Sequence, residues 1–213
     1  MLISSYNQAG MGDVLVTMVA PTVGGQTVHK AGQVVQLTSS ENGSLLGYNF
    51  LAASELLPEL TSQAAGQLFL TDGQVAKLNQ AVQAAGFDQL LVADHDPKFV
   101  IGYVAEMEDH PKSDHLHITK VDVGDQQLQI VCGSPNIANH VKVIVAKPGA
   151  MMPSGQMIWP GELVGVPSFG MICAGRELNL ANAPQQPGCV ILPDDFGQVG
   201  DAFDFEKGNQ LFV

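Results

Sequence analysis

The chain has 213 residues, 46% of them hydrophobic, with a formal net charge of −12. That length holds one large domain or two modest ones, and the apolar content is enough for a real core. No apolar run reaches membrane-spanning length and the first residues lack the basic flank and apolar block of a secretion signal, so a cytoplasmic protein with no membrane partner is expected.

Residues 1–7 and 13–19 read as strands, with Gly12 breaking them. The GGQ at 24–26 has hairpin-turn chemistry and is expected to join VLVTMVAPTV to TVHKAGQVVQL. The ENGS at 41–44 forms a second turn into LLGYNFL, completing a β-meander. TDGQVAKLNQAVQAAGF then predicts a helix. Thr71 and Gln74 have capping-box spacing, Val75, Leu78, Val82 and Ala85 step by three and four, and Gly86 suits the C-terminal cap. The fold class of residues 1–92 is therefore an α+β N-terminal domain.

VADHDPK at 92–98 is polar and contains proline, so the domain boundary is expected there. FVIGYVAEM at 99–107 is apolar on both alternations, as in a central strand covered on both faces. Short β-type runs follow: HITKVDV, LQIVC, VKVIVA and MIW. The turn clusters HPKSD, VGDQ, GSPN, KPG and PSG separate them, and a last strand is expected at 189–192. Many short strands at close spacing argue an all-β OB-fold barrel over 93–213, with its core at 97–200. Closing a barrel removes exposed strand edges.

The acidic total opposes generic nucleic-acid binding, because phosphate is repelled by an acidic surface. The distribution is uneven. Residues 110–176 carry Lys112, Lys120, Lys142, Lys147 and Arg176 against Asp114, Asp122, Asp125 and Glu162, and also hold His110, His115, His117 and His140. This least acidic block is the one read as a barrel. An OB barrel grips RNA with an open face, using cations for phosphates and flat or apolar groups under bases. Lys120, Lys142 and Lys147 lie on or beside predicted strands. Asn136 in the GSPN turn offers both a donor and an acceptor to a base edge, or serves the turn itself. Ser168, Gly170 and Met171 combine a flexible glycine with a deformable apolar pad, or form a hairpin in which Phe169 and Met171 plug the barrel.

Enzyme readings find little support. Neither a Walker-type phosphate loop nor a serine-nucleophile elbow is present, so no catalytic residue and no cofactor is expected. His110, His115 and His117 match no specific ligand spacing, and no metal site is assigned. Cys132, Cys173 and Cys189 are odd in number and widely spaced, which fits reduced, buried thiols. Met151, Met152, Met157 and Trp159 form either an exposed apolar patch for a protein partner or a buried β-hairpin.

Four ordered motifs carry a family resemblance. They are H-P-x-x-D-x-L at His110, Pro111, Asp114 and Leu116, then Q-I-V-C-G-S-P-N at 129–136. K-V-x-V-A-x-P-G-A at 142–150 and L-x-G-V-x-S-x-G-M at 163–171, followed by Glu177–Leu178, complete the series. Together they resemble the tRNA-binding OB domain of the phenylalanyl-tRNA synthetase β chain and of methionyl-tRNA synthetase tails. The whole chain is similar to the stand-alone YtpR family. The resemblance implies non-catalytic binding of tRNA or another structured RNA, through Lys120, Asn136, Ser168, Gly170 and Met171, with Arg176 flanking. It implies a structural role for His110, Pro111 and Asp114, with Asp114 accepting backbone donors. The residues expected at the RNA-binding face are thus Lys120, Asn136, Lys142, Lys147, Ser168, Gly170, Met171, Arg176, His115 and His117. An aminoacyl-tRNA synthetase is the alternative partner, and the same apolar stretch leaves a homodimer open.

Overall fold

The structure is a computed structural model that describes residues 1–62 and 65–213. The chain divides into two compact units, Met1–Asp96 and Pro97–Val213.

The first unit contains β1 (Ile3–Tyr6), β2 (Val14–Met18), β3 (Gln26–Ala31), β4 (Val34–Ser39), β5 (Leu45–Leu51) and β6 (Gly66–Leu68), with buried residues alternating along β2 and β4 and β3 exposed almost throughout. They form one antiparallel sheet in the order β3-β4-β5-β2-β1-β6. Short helices α1 (Gln8–Met11) and α2 (Ala53–Leu56) interrupt the strands. The β2–β3 hairpin expected at 24–26 does not form. β2 pairs with β1 and β5 instead, and the tight turn joins β3 to β4 after Ala31. A turn sequence sets local direction, whereas the partner of a strand is chosen by which face it must bury.

Helix α3 (Asp72–Ala84) begins with the expected capping box: Thr71 Oγ1 accepts from the Gln74 amide and the Gln74 side chain accepts from the Thr71 amide. Gly86 follows the helix at φ +85°, where a left-handed residue ends a helix at least cost. Its buried face, Val75, Leu78 and Val82, joins Leu15, Tyr48 and Phe50 of the sheet in one core. Truncating a fully buried side chain such as Leu78 to alanine costs about 2–5 kcal/mol.

The second unit is built on β7 (Phe99–Asp109), β8 (His117–Asp122), β9 (Gln127–Cys132) and β10 (Lys142–Ala146). A hairpin of β11 (Gly161–Leu163) and β12 (Val166–Ser168) precedes β13 (Met171–Ile172), and β14 (Ile191–Leu192) and α4 (Phe205–Gly208) end the chain. The sheet runs β13-β10-β7-β8-β9, with β14 also on β10. Hydrogen bonds from β9 to the 167–170 segment nearly close it into an antiparallel barrel. Residue 170 must be glycine. Its φ is +135°, and a side-chain carbon there would stand 2.9 Å from the Ala146 carbonyl oxygen.

MIW is not a strand. Met157 makes one bridge to Met151, and the Met152 amide donates to the Gln156 carbonyl, so 151–158 is a tight turn-back. Met152 and Ile158 are buried and Met151, Met157 and Trp159 are half-buried, so the stretch supplies core and not an exposed patch.

Candidate nucleic-acid interface

The outer surface of β7, β8 and β9 follows from register. A bulge at Ala105 shifts the β7–β8 pairing from Val104↔Val121 to Glu106↔Lys120. Two rows then cross the strands: Glu106, Lys120 and Gln129, and beside it Glu108, Ile118 and Val131. The hairpin continues both rows. Gln129 Nε2 donates to the Pro167 carbonyl at 2.7 Å, the Phe169 amide donates to the Gln129 carbonyl at 2.8 Å, and Ser168 Oγ accepts from the Val131 amide at 3.1 Å. An open groove of about 440 Å³ lies over β7 and β8, lined by Met107, Ile118, Lys120, Gln129, Asn139 and His140 among others. This surface and its flanking loops are where the OB architecture takes oligonucleotides.

The charges on the face are mixed. Lys120 Nζ bonds Glu106 Oε2, and that hydrogen bond raises the Lys120 pKa, with Coulombic help from Glu106 and Glu108. At one end, the corner between β7 and β8 carries exposed Lys112, whose ammonium lies 3.4 Å from where a side-chain carbon on Gly165 would stand. His115 Nδ1 sits 2.9 Å from Asp114 Oδ1, and this bond is the largest cause of the lowered Asp114 pKa. His117 Nδ1 is 3.2 Å from Asp109 Oδ1 without hydrogen-bond alignment.

The other expected contact residues also bond or pack within the protein; Asn136 is exposed, Lys142, Met171 and Arg176 are half-buried, and Lys147 is buried. Lys142 donates to the carbonyls of Asp194 and Gly197 at 2.6 and 2.7 Å, tying down the loop after β14. Lys147 is 4% exposed. Arg176 Nη1 donates to the Gln186 carbonyl. Asn136 clamps a distant segment: Nδ2 donates to the Cys189 carbonyl and Oδ1 accepts from the Cys189 amide, both at 2.9 Å. Met171 pairs with Ala146 and packs against the core. Of the expected set, Lys120 and Ser168 stand on the rows, His115 and His117 flank them, and Gly170 shapes the barrel's closing edge.

At the corner 110–116 the Asp114 carboxylate takes the expected backbone hydrogen bond, from its own amide, alongside the His115 ring. His110 is buried, and its Nδ1 accepts from the Lys112 amide at 3.1 Å; the His115 amide reaches Ser113 Oγ at 3.4 Å. The Asp114 carboxylate is exposed and bonds the His115 ring. Gln129 and His140 line the groove although neither was expected as an RNA contact, and Phe169, for which one reading was a plug of the barrel, is 40% exposed. The alternation in QLQIVC was the available signal for Gln129; nothing local distinguished Phe169 pointing out from Phe169 plugging the barrel.

Cys132, Cys173 and Cys189 are buried free thiols. Burial raises the pKa of each, that of Cys189 to about 11. Among the described residues no group of three or more His, Cys, Asp and Glu is arranged to hold a metal ion. No helix among them is long and apolar enough to cross a membrane.

These features define a two-unit protein whose second unit is an oligonucleotide-binding type of barrel. Residues 99–201 match the family model described as "Putative tRNA binding domain", and residues 21–94 match a "Domain of unknown function (DUF4479)". The "Putative tRNA-binding protein YtpR" of Bacillus subtilis is 42% identical over 201 residues, covering 94% of this chain and 98% of that one. The phenylalanine–tRNA ligase beta subunit of Oceanobacillus iheyensis is 51% identical over 108 residues, which span 49% of this chain and 13% of that subunit. Among solved structures, the MetRS related protein from Pyrococcus horikoshii aligns over 48% of this chain and 84% of its own at 22% identity, with a TM-score of 0.35. The chain belongs to the YtpR family.

Proposed function

We propose that this protein is a non-catalytic tRNA-binding protein of the cytoplasm that docks structured RNA on the outer face of its barrel. The observation that carries the reading is the coincidence of two independent facts. The tRNA-binding family model falls on residues 99–201, and that segment folds into a barrel with an open, grooved face over β7, β8 and β9. On this reading Lys112 and Lys120 meet phosphates, with Gln129, His115 and His117 along the same surface. Asn136, Lys142, Lys147, Gly170 and Met171 build the barrel that presents it, and Arg176 steadies the loop at Gln186. A synthetase is the protein partner this reading favours, because the barrel shares 51% identity with a segment of a synthetase subunit.

The test is a titration of the full chain with unfractionated tRNA at low salt. A Lys112→Ala, Lys120→Ala double variant is expected to bind about tenfold more weakly, since each cation lost removes a phosphate contact. Equal affinity of the variant and the wild type would discard the face. Crosslinking in cells followed by sequencing of the attached RNA identifies the class of RNA.

A further inference from the structure

The proposed face is poor in available cations. The unit from Pro97 to Val213 has seven Lys and Arg residues. Lys98 and Lys147 are buried, while Lys142, Lys207 and Arg176 donate to backbone carbonyls. Lys120 is engaged with Glu106. Lys112 is exposed, Lys120 stays 54% exposed while paired, and Glu106, Glu108 and Glu162 are exposed carboxylates of the same unit. Phosphate neutralisation on such a surface is weak.

The hairpin beside β9 exposes apolar side chains. Phe169 is 40% exposed, Leu163 43% and Val164 51%, all on or beside the β11–β12 hairpin. Val164 and Gly165 form its two-residue turn with φ of +51° and +85°. Asn-Gly or Gly-Gly suits such a turn, and a β-branched residue at positive φ is strained. Solvent-exposed valine gains no burial to offset that strain. Residues held in strained backbone conformations cluster at ligand clamps and switch regions, and contiguous exposed apolar side chains mark interaction sites.

We propose that Phe169 is a stacking site for an unpaired nucleobase, with the Leu163–Val164 tip at the other end of β12 meeting a neighbouring nucleotide, so that RNA binding by this chain rests on base contacts more than on phosphate charge. This proposal rests on the tRNA-docking reading given above. Phe169 stands at the end of the Lys120–Gln129 row, its backbone fixed by the Gln129 carbonyl. The hairpin tip, where Lys112 stands against Gly165, lies at the other end of β12 from Phe169. The neutral plane of a base is indifferent to the neighbouring carboxylates, whereas a phosphate is repelled by them. The site therefore favours a loop or single-stranded nucleotide with its base turned out over a continuous duplex.

The experiment uses the full chain with two probes, unfractionated tRNA and a short single-stranded RNA carrying 2-aminopurine, whose emission reports stacking. Phe169→Leu keeps bulk but removes the aromatic plane, and is expected to weaken tRNA binding roughly 5- to 150-fold and abolish the 2-aminopurine response. Phe169→Tyr is expected to retain both. The wild-type plot of log affinity against log salt is expected to have a slope of about −1 to −2. The proposal is overturned if Phe169→Leu binds tRNA like the wild type, or if the slope is near −5 or steeper, and in either case the docking face itself survives. It is also overturned if the wild type self-associates through this patch and Phe169→Leu abolishes that association without changing RNA affinity. A wild-type chain that binds no tRNA at all removes the docking reading, and this site with it.

Discussion

Replacing Asn136 with alanine separates a residue that reads RNA from one that builds the fold. The Asn136 amide makes two hydrogen bonds of 2.9 Å to the backbone of Cys189, fifty-three positions away, and Cys189 is 6% exposed. Gly188 allows the close approach: a side-chain carbon there would stand 3.0 Å from Asn136 Oδ1. Each bond contributes about 0.5–1.5 kcal/mol net, and a buried amide or carbonyl left unpaired costs about 1–3 kcal/mol. The expected loss is therefore about 2–4 kcal/mol. Asn136→Asp should lose nearly as much, because a carboxylate oxygen would then face the Cys189 carbonyl in place of a donor. The chain has one tryptophan, Trp159, and it is half-buried in the same unit, so its fluorescence follows the unfolding of that unit. With a urea slope of about 2 kcal/mol per molar, the middle of the range for small domains, the midpoint should fall by roughly 1–2 M. Affinity for tRNA, measured well below the new midpoint, should stay close to that of the wild type. An unchanged midpoint together with a large loss of affinity would refute the structural role and make Asn136 a contact residue.

Other outcomes follow from the same geometry. Glu106→Gln releases Lys120 and removes a negative charge from the face. Affinity for tRNA should rise about two- to fivefold at low salt, and the salt slope should steepen by about one; a weaker complex would mean that Glu106 itself contacts RNA. Val164→Asn relieves a β-branched residue at φ +51° and should raise the urea midpoint of the barrel by an amount equivalent to about 1 kcal/mol; a lower midpoint would show that the valine packs against something the fold needs. The buried thiols set an alkaline limit. Because burial raises the Cys189 pKa to about 11 from an ordinary 9.0, the fold prefers the neutral thiol. That contribution to stability is complete below pH 9 and declines as pH rises from 9 through 11. A pH series of unfolding midpoints should fall in that window, and Cys189→Ala should flatten the fall.

Local chemistry was readable from the chain. The capping box at Thr71 and Gln74 and the stripe Val75, Leu78, Val82 depend on residues within one or two turns of each other, so spacing alone predicts them. The strands at 99–109, 117–122, 127–132 and 142–146 announce themselves by β-branched runs between Gly and Pro turns. Motif order carried the family, because the turn residues at 110–116, 133–136 and 163–171 are those the barrel needs at its corners.

What the amino-acid order determined by itself was therefore helix α3, the four long barrel strands, the barrel class and the family, but not the strand partners of the first sheet or the turn-back at 151–158. Which lysines remain available was decided only by the tertiary structure. Folding brings the Asp194 and Gly197 carbonyls to the Lys142 ammonium and the Cys189 backbone to the Asn136 amide, partners that neither residue's neighbours in the sequence announce. Phe169 faces outward because the β9 pairing turns Ser168 toward the Val131 amide. The physical reason is range. Helix caps, turns and periodicity act over a few residues, whereas the partner of a long polar side chain is set by backbone groups some fifty positions away, and no local pattern records them.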